Sequence, residues 1–277
     1  MKYYNTLTTP SGKKCKLYEI QNDNYISLLK FINATDYEGF YNSLDELISE
    51  SINDFENYNL FDKAYVYVAF FYYSVKESLT LNSKKSNEEI VSLVTLLDEI
   101  EKAYKNETQL LSIKNLIFEI NVPRRLKMED NNIFVDYYSG LSKVNGIDVE
   151  ATDKCEKLLE SLPYEFLGPI YDTAKKMSDV KMNLFVGTTL EESFRGINLD
   201  SLFYIIVNIF NDSLTNFYSM FYILIHYGRL SYSDILKFTP VELQIYYNNF
   251  IEDKEKQNTG NKVNMNDPNV NDSLMGL

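Results

Sequence analysis

Few side chains in this sequence belong to the types that catalyse reactions through a proton relay. His226 is the only histidine, and Cys15 and Cys155 are the only cysteines. A nucleophile activated by a neighbouring base would have to be built around His226, which follows an apolar helical stretch. We interpret His226 as a structural histidine that bonds to the backbone or to a tyrosine hydroxyl. Neither cysteine has the spacing of a metal or redox motif, so we expect both to be reduced thiols.

Carboxylates are the remaining candidates for acid and base chemistry. Glu191 is adjacent to Glu192, and Asp98, Glu99 and Glu101 cluster on a predicted helix. Two carboxylates can divide the acid and base roles in glycoside hydrolysis, but adjacent acids on helices are typical of solvated faces. Without paired histidine or cysteine ligands, only carboxylate sites for hard cations remain, and no motif supports one. The sequence predicts no catalytic, cofactor-binding or metal-binding residue and no cofactor.

Nucleotide and nucleic-acid binding are also disfavoured. The ten glycines are scattered, and none forms a phosphate-binding loop. A formal net charge of -13 repels phosphate backbones unless basic residues are segregated on one surface. We interpret the small basic clusters as solvated surface and expect no nucleic-acid partner. These clusters are Lys13, Lys14 and Lys16; Lys84 and Lys85; and Arg124 and Arg125.

Hydropathy gives no indication of a membrane protein. The most apolar region, from Ser201 to Tyr227, is interrupted by Asn208, Asn211 and Asp212 before a spanning length accumulates. The first residues lack the apolar run of a secretory signal. We expect no membrane span and expect the protein to remain in the compartment where it is made.

Periodicity predicts an α+β fold that is predominantly helical. Residues 3–20 form two short strand patterns around a turn with Pro10 and Gly12, which predicts an N-terminal β-hairpin. Strand-like runs around residues 112–138 predict a small central sheet, packed with amphipathic helices. The N-terminal helices are expected to begin near Asn24, at Ser43 with Glu46, at Leu60, and at Ser86 with Glu89.

The chain after residue 150 reads as a helical C-terminal part. Helices are expected over residues 153–162, 165–177 and 199–227, the last broken near Asn211, followed by capped starts at Ser231 and Thr239. The predicted organisation is residues 1–150, residues 151–252, and a disordered tail over residues 253–277, which lacks apolar periodicity.

The last helix carries the strongest candidate for protein binding. Its start has the residues of a capping box, Thr239 and Glu242, with Pro240 at the first helical position. Beyond the cap, apolar side chains recur at helical spacing, and the candidate protein-binding residues are Leu243, Tyr246, Tyr247 and Phe250. Phe217, Phe221 and Leu224 form a similar stripe on the preceding helix. Spacing alone leaves open whether these stripes form the core or a partner groove.

Five segments resemble one family of phage proteins. They are similar, in this order, to segments of the baseplate hub and hub-assembly proteins of T-even-like contractile-tailed bacteriophages: "LTTPSGKKCKLYEI", "YISLLKFINATDYEGFYNSLDELISESI", "LFDKAYVYVAFFYYSVKES", "INVPRRLKMEDNNIFVDYYSGL" and "HYGRLSYSDILKFTPVELQIYYNNFIED". The matching positions are Phe61, Asp62, Tyr65, Ser74, Val75, Tyr138, His226, Tyr227, Leu230, Ser231, Pro240, Glu242, Ile245 and Tyr246.

The resemblance implies an assembly function rather than an enzymatic one. It implies partners among other phage tail or baseplate hub proteins, and a location in the host cytoplasm during assembly or in the baseplate of the virion. A helper that covers sticky surfaces until the baseplate closes is the main expectation. The alternatives are a permanent structural subunit of the hub, a cell-wall hydrolase, and a cellular adaptor unrelated to phage.

Overall fold

The protein has an α+β fold that is predominantly helical, as the sequence predicts. The computed structural model describes residues 4–76, 78–82, 88–105, 107–187 and 192–260. The helices are α1 (Asn22–Asn33), α2 (Tyr37–Ser49), α3 (Leu60–Ser74), α4 (Leu93–Ala103), α5 (Thr152–Ser161), α6 (Tyr164–Ser178), α7 (Leu199–Phe210), α8 (Leu214–His226), α9 (Tyr232–Ile235) and α10 (Pro240–Gly260). The strands are β1 (Tyr4–Thr8), β2 (Lys14–Tyr18), β3 (Ser78–Asn82), β4 (Glu88–Ser92), β5 (Gln109–Ile113), β6 (Leu116–Ile120), β7 (Arg125–Glu129), β8 (Asn132–Asp136), β9 (Leu141–Val144), β10 (Ile147–Asp148), β11 (Met182–Gly187) and β12 (Glu192–Ile197).

The strands form small antiparallel sheets. The predicted N-terminal hairpin is β1–β2, and the predicted central sheet has the order β10-β9-β6-β5, with β7–β8 as a separate hairpin beside it. A second four-stranded sheet has the order β12-β11-β4-β3. It was not predicted, because the sequence analysis assigned a helix start to the segment of β4 and only helices after residue 150.

Hydrogen bonds connect the N-terminal hairpin to α3 at its turn and at its base. At its turn, the buried carboxylate of Asp62 accepts hydrogen bonds from the Ser11 backbone N–H (2.9 Å), the Ser11 hydroxyl and the Asn59 amide (3.0 Å). At its base, the Ser74 hydroxyl accepts from the Ile20 N–H at 3.0 Å. Because α3 is buried on almost every side, its polar side chains are fixed anchors for the hairpin.

One hydrophobic core crosses the predicted boundary at residue 150. Side chains of α1, α2 and α3 pack on α7, where the rings of Phe40 and Phe71 lie 5.5 and 4.9 Å from that of Phe210. The buried hydroxyls of Tyr25 and Tyr41 donate to carbonyl oxygens of α7, at 3.2 and 2.6 Å. The residues on either side of position 150 therefore do not have separate cores.

The first turn of α1 is capped by a distant segment. Its N-cap position, Gln21, provides no side-chain hydrogen bond. Instead the Asn22 N–H donates to the carbonyl of Phe238 at 2.8 Å, and the Asn22 amide donates to the carbonyl of Ile235 at 2.8 Å. The Phe238 carbonyl, in the connection from α9 to α10, satisfies a backbone donor that a helix start leaves without a partner, and the Ile235 carbonyl, at the end of α9, holds the Asn22 side chain.

The predicted helix start at Ser43 is wrong. Helix α2 begins at Tyr37, because the Asp36 side chain accepts the Gly39 N–H at 2.8 Å and supplies the cap seven residues earlier than Ser43 would. Ser43 and Glu46 have the spacing of a capping box but lie inside the helix.

The predicted start at Ser86 with Glu89 is also replaced. Ser86 lies outside the described residues, and Glu89 belongs to β4. Helix α4 begins at Leu93, with the Ser92 hydroxyl accepting from the Thr95 N–H at 3.5 Å.

The capping box of α10 is confirmed. The Thr239 N–H donates to Glu242 Oε2 at 2.9 Å, and the Glu242 N–H donates to Thr239 Oγ1 at 3.1 Å. The helix continues to Gly260, past residue 253 where the sequence analysis placed the start of a disordered tail. Glu, Lys and Gln residues after position 252 favour helix, and Lys256 lies 3.5 Å from Glu252 one turn earlier. The rest of the predicted tail, 261–277, lies outside the described residues.

Across the part of the chain that the structure describes, no helix has the length and apolar character needed to cross a membrane.

Candidate protein-binding surface

The four predicted binding residues of α10 have different environments. Leu243 has no exposed surface and belongs to the core, where α10 packs against α8. Tyr247 and Phe250 are half-buried against the same core, whereas Tyr246 is 50% exposed. Since these positions share one side of the helix, the spacing identified the face that holds α10 in place. Of the four, only Tyr246 offers a large exposed area to a partner.

The stripe on α8 that the sequence left open belongs to the core. Phe217, Phe221 and Leu224 are buried. The ring of Phe217 lies 5.6 Å from that of Tyr25 on α1, in an edge arrangement. These contacts hold α8 against the N-terminal helices and fix which side of α8 faces outward.

The outer side of α8 carries exposed tyrosines that continue onto α9. We define the tyrosine surface as Tyr218, Tyr222, Tyr227 and Tyr232, which are 38%, 56%, 62% and 51% exposed. Tyr218 and Tyr222 are four residues apart and therefore neighbours on the helix. Within the surface, the ring of Tyr222 lies 6.4 Å from that of Tyr227. The rings of Tyr218 and Tyr232 both pack on the buried ring of Phe221, at 6.2 and 5.8 Å.

Three of the four residues of the tyrosine surface, Tyr218, Tyr222 and Tyr227, lie in an uncharged part of the sequence. There is no Asp, Glu, Lys or Arg between Ser213 and Gly228, in a chain with 24% charged residues. The exposed fractions of the four tyrosines amount to about two whole side chains, on the order of 400 Å² at roughly 200 Å² each. A patch of roughly 300–600 Å² is the largest that a typical monomer exposes, and it often marks a functional site.

Helix α10 has two large exposed apolar side chains outside the tyrosine surface. Ile245 is 53% exposed, and the half-exposed ring of Tyr246 is stacked on Phe238 with a centroid distance of 4.9 Å. The stacking holds the Tyr246 ring in one orientation, so little rotamer entropy remains to be lost when a partner covers it.

The structure places His226 beside the tyrosine surface. Its ring is exposed and lies 4.3 Å from the ring of Tyr222. Within the described residues no hydrogen bond to its ring was found, so the predicted bond to backbone or tyrosine is replaced by a ring contact. The cysteines do not lie on this surface, since Cys15 on β2 and Cys155 on α5 are both buried.

The cysteines are in environments that suppress nucleophilic chemistry. Burial, with the charge of Asp62 as a smaller cause, raises the pKa of the Cys15 thiol to about 11. Burial also raises the pKa of the Cys155 thiol. At neutral pH both groups remain thiols, and the thiolate is the reactive form.

The carboxylates singled out in the sequence do not form a described acid/base pair. Glu99 accepts the Asn183 N–H at 3.0 Å and the Lys102 ammonium at 3.1 Å, and these bonds, the first being the stronger cause, lower the pKa of its carboxyl. It therefore ties α4 to β11. The side chains of Glu191 and Glu192 lie outside the described residues. In the described part of the chain, no group of three or more histidine, cysteine or acidic residues is placed to hold a metal ion.

Arg124 and Arg125 are not solvated surface, contrary to the sequence interpretation. Arg124 Nε donates to the carbonyl of Ser139 at 3.1 Å, and its guanidinium lies 2.8 Å from Glu150. Arg125 lies 3.2 Å from Asp136. Both guanidinium groups hold β7 to neighbouring segments rather than presenting a phosphate-binding groove.

A cleft of about 140 Å³ lies where β2 meets α1, close to the start of α10. Glu19, Glu50, Glu242 and Lys237 are among the residues that line it. Burial, followed by the charge of Glu242, raises the pKa of the Glu19 carboxyl. The carboxylate of Glu242 accepts the Thr239 N–H in the capping box of α10. We therefore interpret Glu242 as a structural residue and not as the partner of Glu19 in a catalytic pair.

The tyrosine surface is the feature that sequence reasoning missed. The sequence analysis followed the Phe217, Phe221 and Leu224 stripe, which is buried, and not the tyrosines one residue further on. The signal for the exposed side was the run without charged residues from Ser213 to Gly228. Comparison with known proteins found no family model, no curated protein and no solved structure that matches the chain.

Proposed function

We propose that the protein is a non-enzymatic assembly factor that binds other proteins through the tyrosine surface, in the host cytoplasm during construction of the baseplate hub of a contractile phage tail. The observation that carries the proposal is the group of exposed tyrosines on and after α8 and on α9, three of which lie in an uncharged stretch of a chain with net charge -13.

The chemistry of the patch suits a protein partner. Tyrosines combine a large apolar area with a polar tip, lose few rotamers on binding and are enriched at the centres of interfaces. Because residues 213–228 carry no formal charge, covering them does not require a charged side chain to lose its water. The acidic remainder of the surface keeps the unbound protein soluble and repels other copies of itself.

The resemblance to hub and hub-assembly proteins supports the choice of partner. In the N-terminal similar segment, Phe61, Asp62 and Ser74 are buried and hold the fold together. In the C-terminal similar segment, Tyr227 and Tyr246 are exposed. The C-terminal segment therefore contributes surface that a hub subunit can contact.

A permanent subunit of the hub is the second candidate, since it would use the same surface. The two are distinguished by whether the protein is present in purified virions or only in lysates of infected cells. A cell-wall hydrolase is a third candidate, and peptidoglycan cleavage that disappears on substitution of carboxylates would establish it.

The test is co-expression with each tail and hub protein encoded beside its gene, followed by size-exclusion chromatography. We expect one of these proteins to co-elute with the wild-type chain. The double variant Tyr222→Ser, Tyr227→Ser should bind at least about tenfold more weakly, as expected when interface aromatic anchors are removed.

The matched control is Tyr164→Ser. Tyr164 is 88% exposed on α6, outside the tyrosine surface, so its loss should leave binding unchanged. Far-ultraviolet circular dichroism must show that all variants are folded. The proposal fails if no hub protein forms a complex, or if the double variant binds as tightly as wild type.

A further inference from the structure

The hairpin β7–β8 has one covered edge and one open edge. Its two-residue turn, Asp130 and Asn131, has φ values of 49° and 62°, as in a type I′ turn. The strands pair Glu129 with Asn132 and Lys127 with Phe134. In such a hairpin these pairs exchange the ladder hydrogen bonds, and the N–H and C=O groups of the alternate residues point outward.

Helix α7 covers the outer edge of β8. The Ile133 N–H donates to the Tyr204 hydroxyl at 2.7 Å, and the Val135 N–H donates to Asp200 Oδ1 at 3.0 Å. The equivalent outward groups on β7 are those of Leu126 and Met128. Among the described residues, neither backbone N–H has a hydrogen-bond acceptor.

A cleft of about 210 Å³ opens beside this free edge. One wall contains Leu126 and Met128, and the other is formed by α2 and α3. The wall formed by α3 contains Lys63, which is 7% exposed. A buried ammonium has three donors, and its hydrogen bond to Asp45 Oδ2 is long, at 3.5 Å. The same Asp45 also accepts from the Tyr67 hydroxyl, so its charge is shared.

We infer that β7 binds an extended acidic segment of a partner protein as an added strand. The backbone of the added strand bonds to the outward groups of Leu126 and Met128. Residues directly opposite on neighbouring strands have their side chains on the same face, so a residue opposite Leu126 or Met128 points into the cleft. An Asp or Glu at that position supplies the Lys63 ammonium with the second acceptor.

Two independent features select this occupant. The open donors and acceptors require an extended backbone, as in recognition by strand addition. The Lys63 ammonium has Asp45 as an anionic partner at 3.5 Å and lies 5.6 Å from the centre of the Phe55 ring, and an acidic side chain in the cleft gives it a second, closer anionic partner. The exposed side chain of Lys127 lies on the opposite face of β7. A lysine on an edge strand disfavours pairing with apolar strands that lack acidic residues. The site is separate from the tyrosine surface, so its failure would leave the proposed function untouched.

Amide hydrogen exchange on the full chain tests the edge directly. In the free protein, the Leu126 and Met128 amides should exchange at least about a hundredfold faster than the Lys127 amide, whose N–H is bonded within the ladder. Comparable slow exchange at all three amides would overturn the inference, because the edge would not be open.

Selection of displayed random nonapeptides on the full chain tests the occupant. Enriched peptides should share an Asp or Glu at one position and should slow exchange at the Leu126 and Met128 amides. Lys63→Met and Met128→Pro should each weaken binding of the synthetic selected peptide by at least about tenfold. Tyr222→Ser, which leaves the cleft intact, should not.

Thermal melts must show that Lys63→Met and Met128→Pro fold. Met128→Pro removes an N–H that the fold does not use, so it isolates the loss of strand pairing. Two results would overturn the inference: no peptide is enriched, or the selected peptide binds Lys63→Met as tightly as wild type. Protection of the two amides by a single-stranded DNA decamer, with no protection by any peptide, would also overturn it.

Discussion

Replacement of Asp62 by alanine should release the N-terminal hairpin from α3. Asp62 has no exposed surface, and three donors bond to its carboxylate, two of them from Ser11 in the hairpin turn. Hydrogen bonds to charged groups contribute roughly 1.5–3 kcal/mol each, but they are not additive in one network. We expect Asp62→Ala to lower the free energy of unfolding by about 3 kcal/mol, mainly through the loss of these three hydrogen bonds to the carboxylate.

Urea denaturation followed by circular dichroism measures this loss. For a chain of this size, about 3 kcal/mol corresponds to a melting temperature lower by roughly 6–12 °C. A local measure is the reaction of Cys15 with a thiol reagent. This side chain is 8% exposed on β2 and should become accessible when the hairpin detaches.

Ser11→Ala is the matched control. It removes the hydroxyl donor but keeps the backbone N–H bond to Asp62, so we expect a loss of only about 1 kcal/mol. The reasoning would be refuted if Asp62→Ala changed stability by less than about 0.5 kcal/mol, the range of ordinary surface substitutions. An effect equal to that of Ser11→Ala would show that only the hydroxyl contact matters.

Three further predictions follow from local contacts. Thr239→Ala should cost about 1 kcal/mol in urea denaturation, because it removes one half of the capping box; no change would show that the cap is redundant. Cys15 and Cys155 should both react slowly with a thiol reagent at pH 8 in the folded protein and fast in urea, since burial raises the pKa of each; fast reaction of the native protein would contradict this. Glu19→Gln should raise the urea midpoint at pH 7, because the raised pKa of Glu19 means that its ionised form disfavours folding. The gain should disappear below the carboxyl's unfolded pKa, near pH 4, where glutamate is protonated in both states; a gain that persists there would refute the charge explanation.

Sequence motifs within one helical turn correctly predicted some helix starts and ends. The capping box at Thr239 and the break at Asn211 are present as the sequence indicated, since each depends on residues within one turn. The same motif failed at Ser43, because the side chain of Asp36 had already started the helix. A capping box identifies a possible helix start, and competition with an earlier cap decides whether it is used.

Pairing between distant segments was beyond the reach of sequence patterns. The hairpin β11–β12 joins β4 through the pair Gly187–Ile90, whose members are 97 residues apart in the chain, and no periodicity within either segment encodes that contact. The candidate binding residues show the same limit. Helical spacing put Leu243 and Tyr246 on one side of α10, but only the position of α8 determines that the first is buried and the second exposed.

The bond from α1 to the connection before α10 has a consequence for biosynthesis. The Asn22 backbone N–H has the carbonyl of Phe238 as its acceptor, so a ribosome must extend the chain to residue 238 before the first helix can receive its cap. Contacts of such long sequence separation slow folding and leave early segments incompletely packed during translation. In a nascent chain stopped before Ile235, α1 would therefore lack its cap, and the chain would be a substrate for chaperones and proteases. Capping of α1 by the α9–α10 connection is thus a late step in folding.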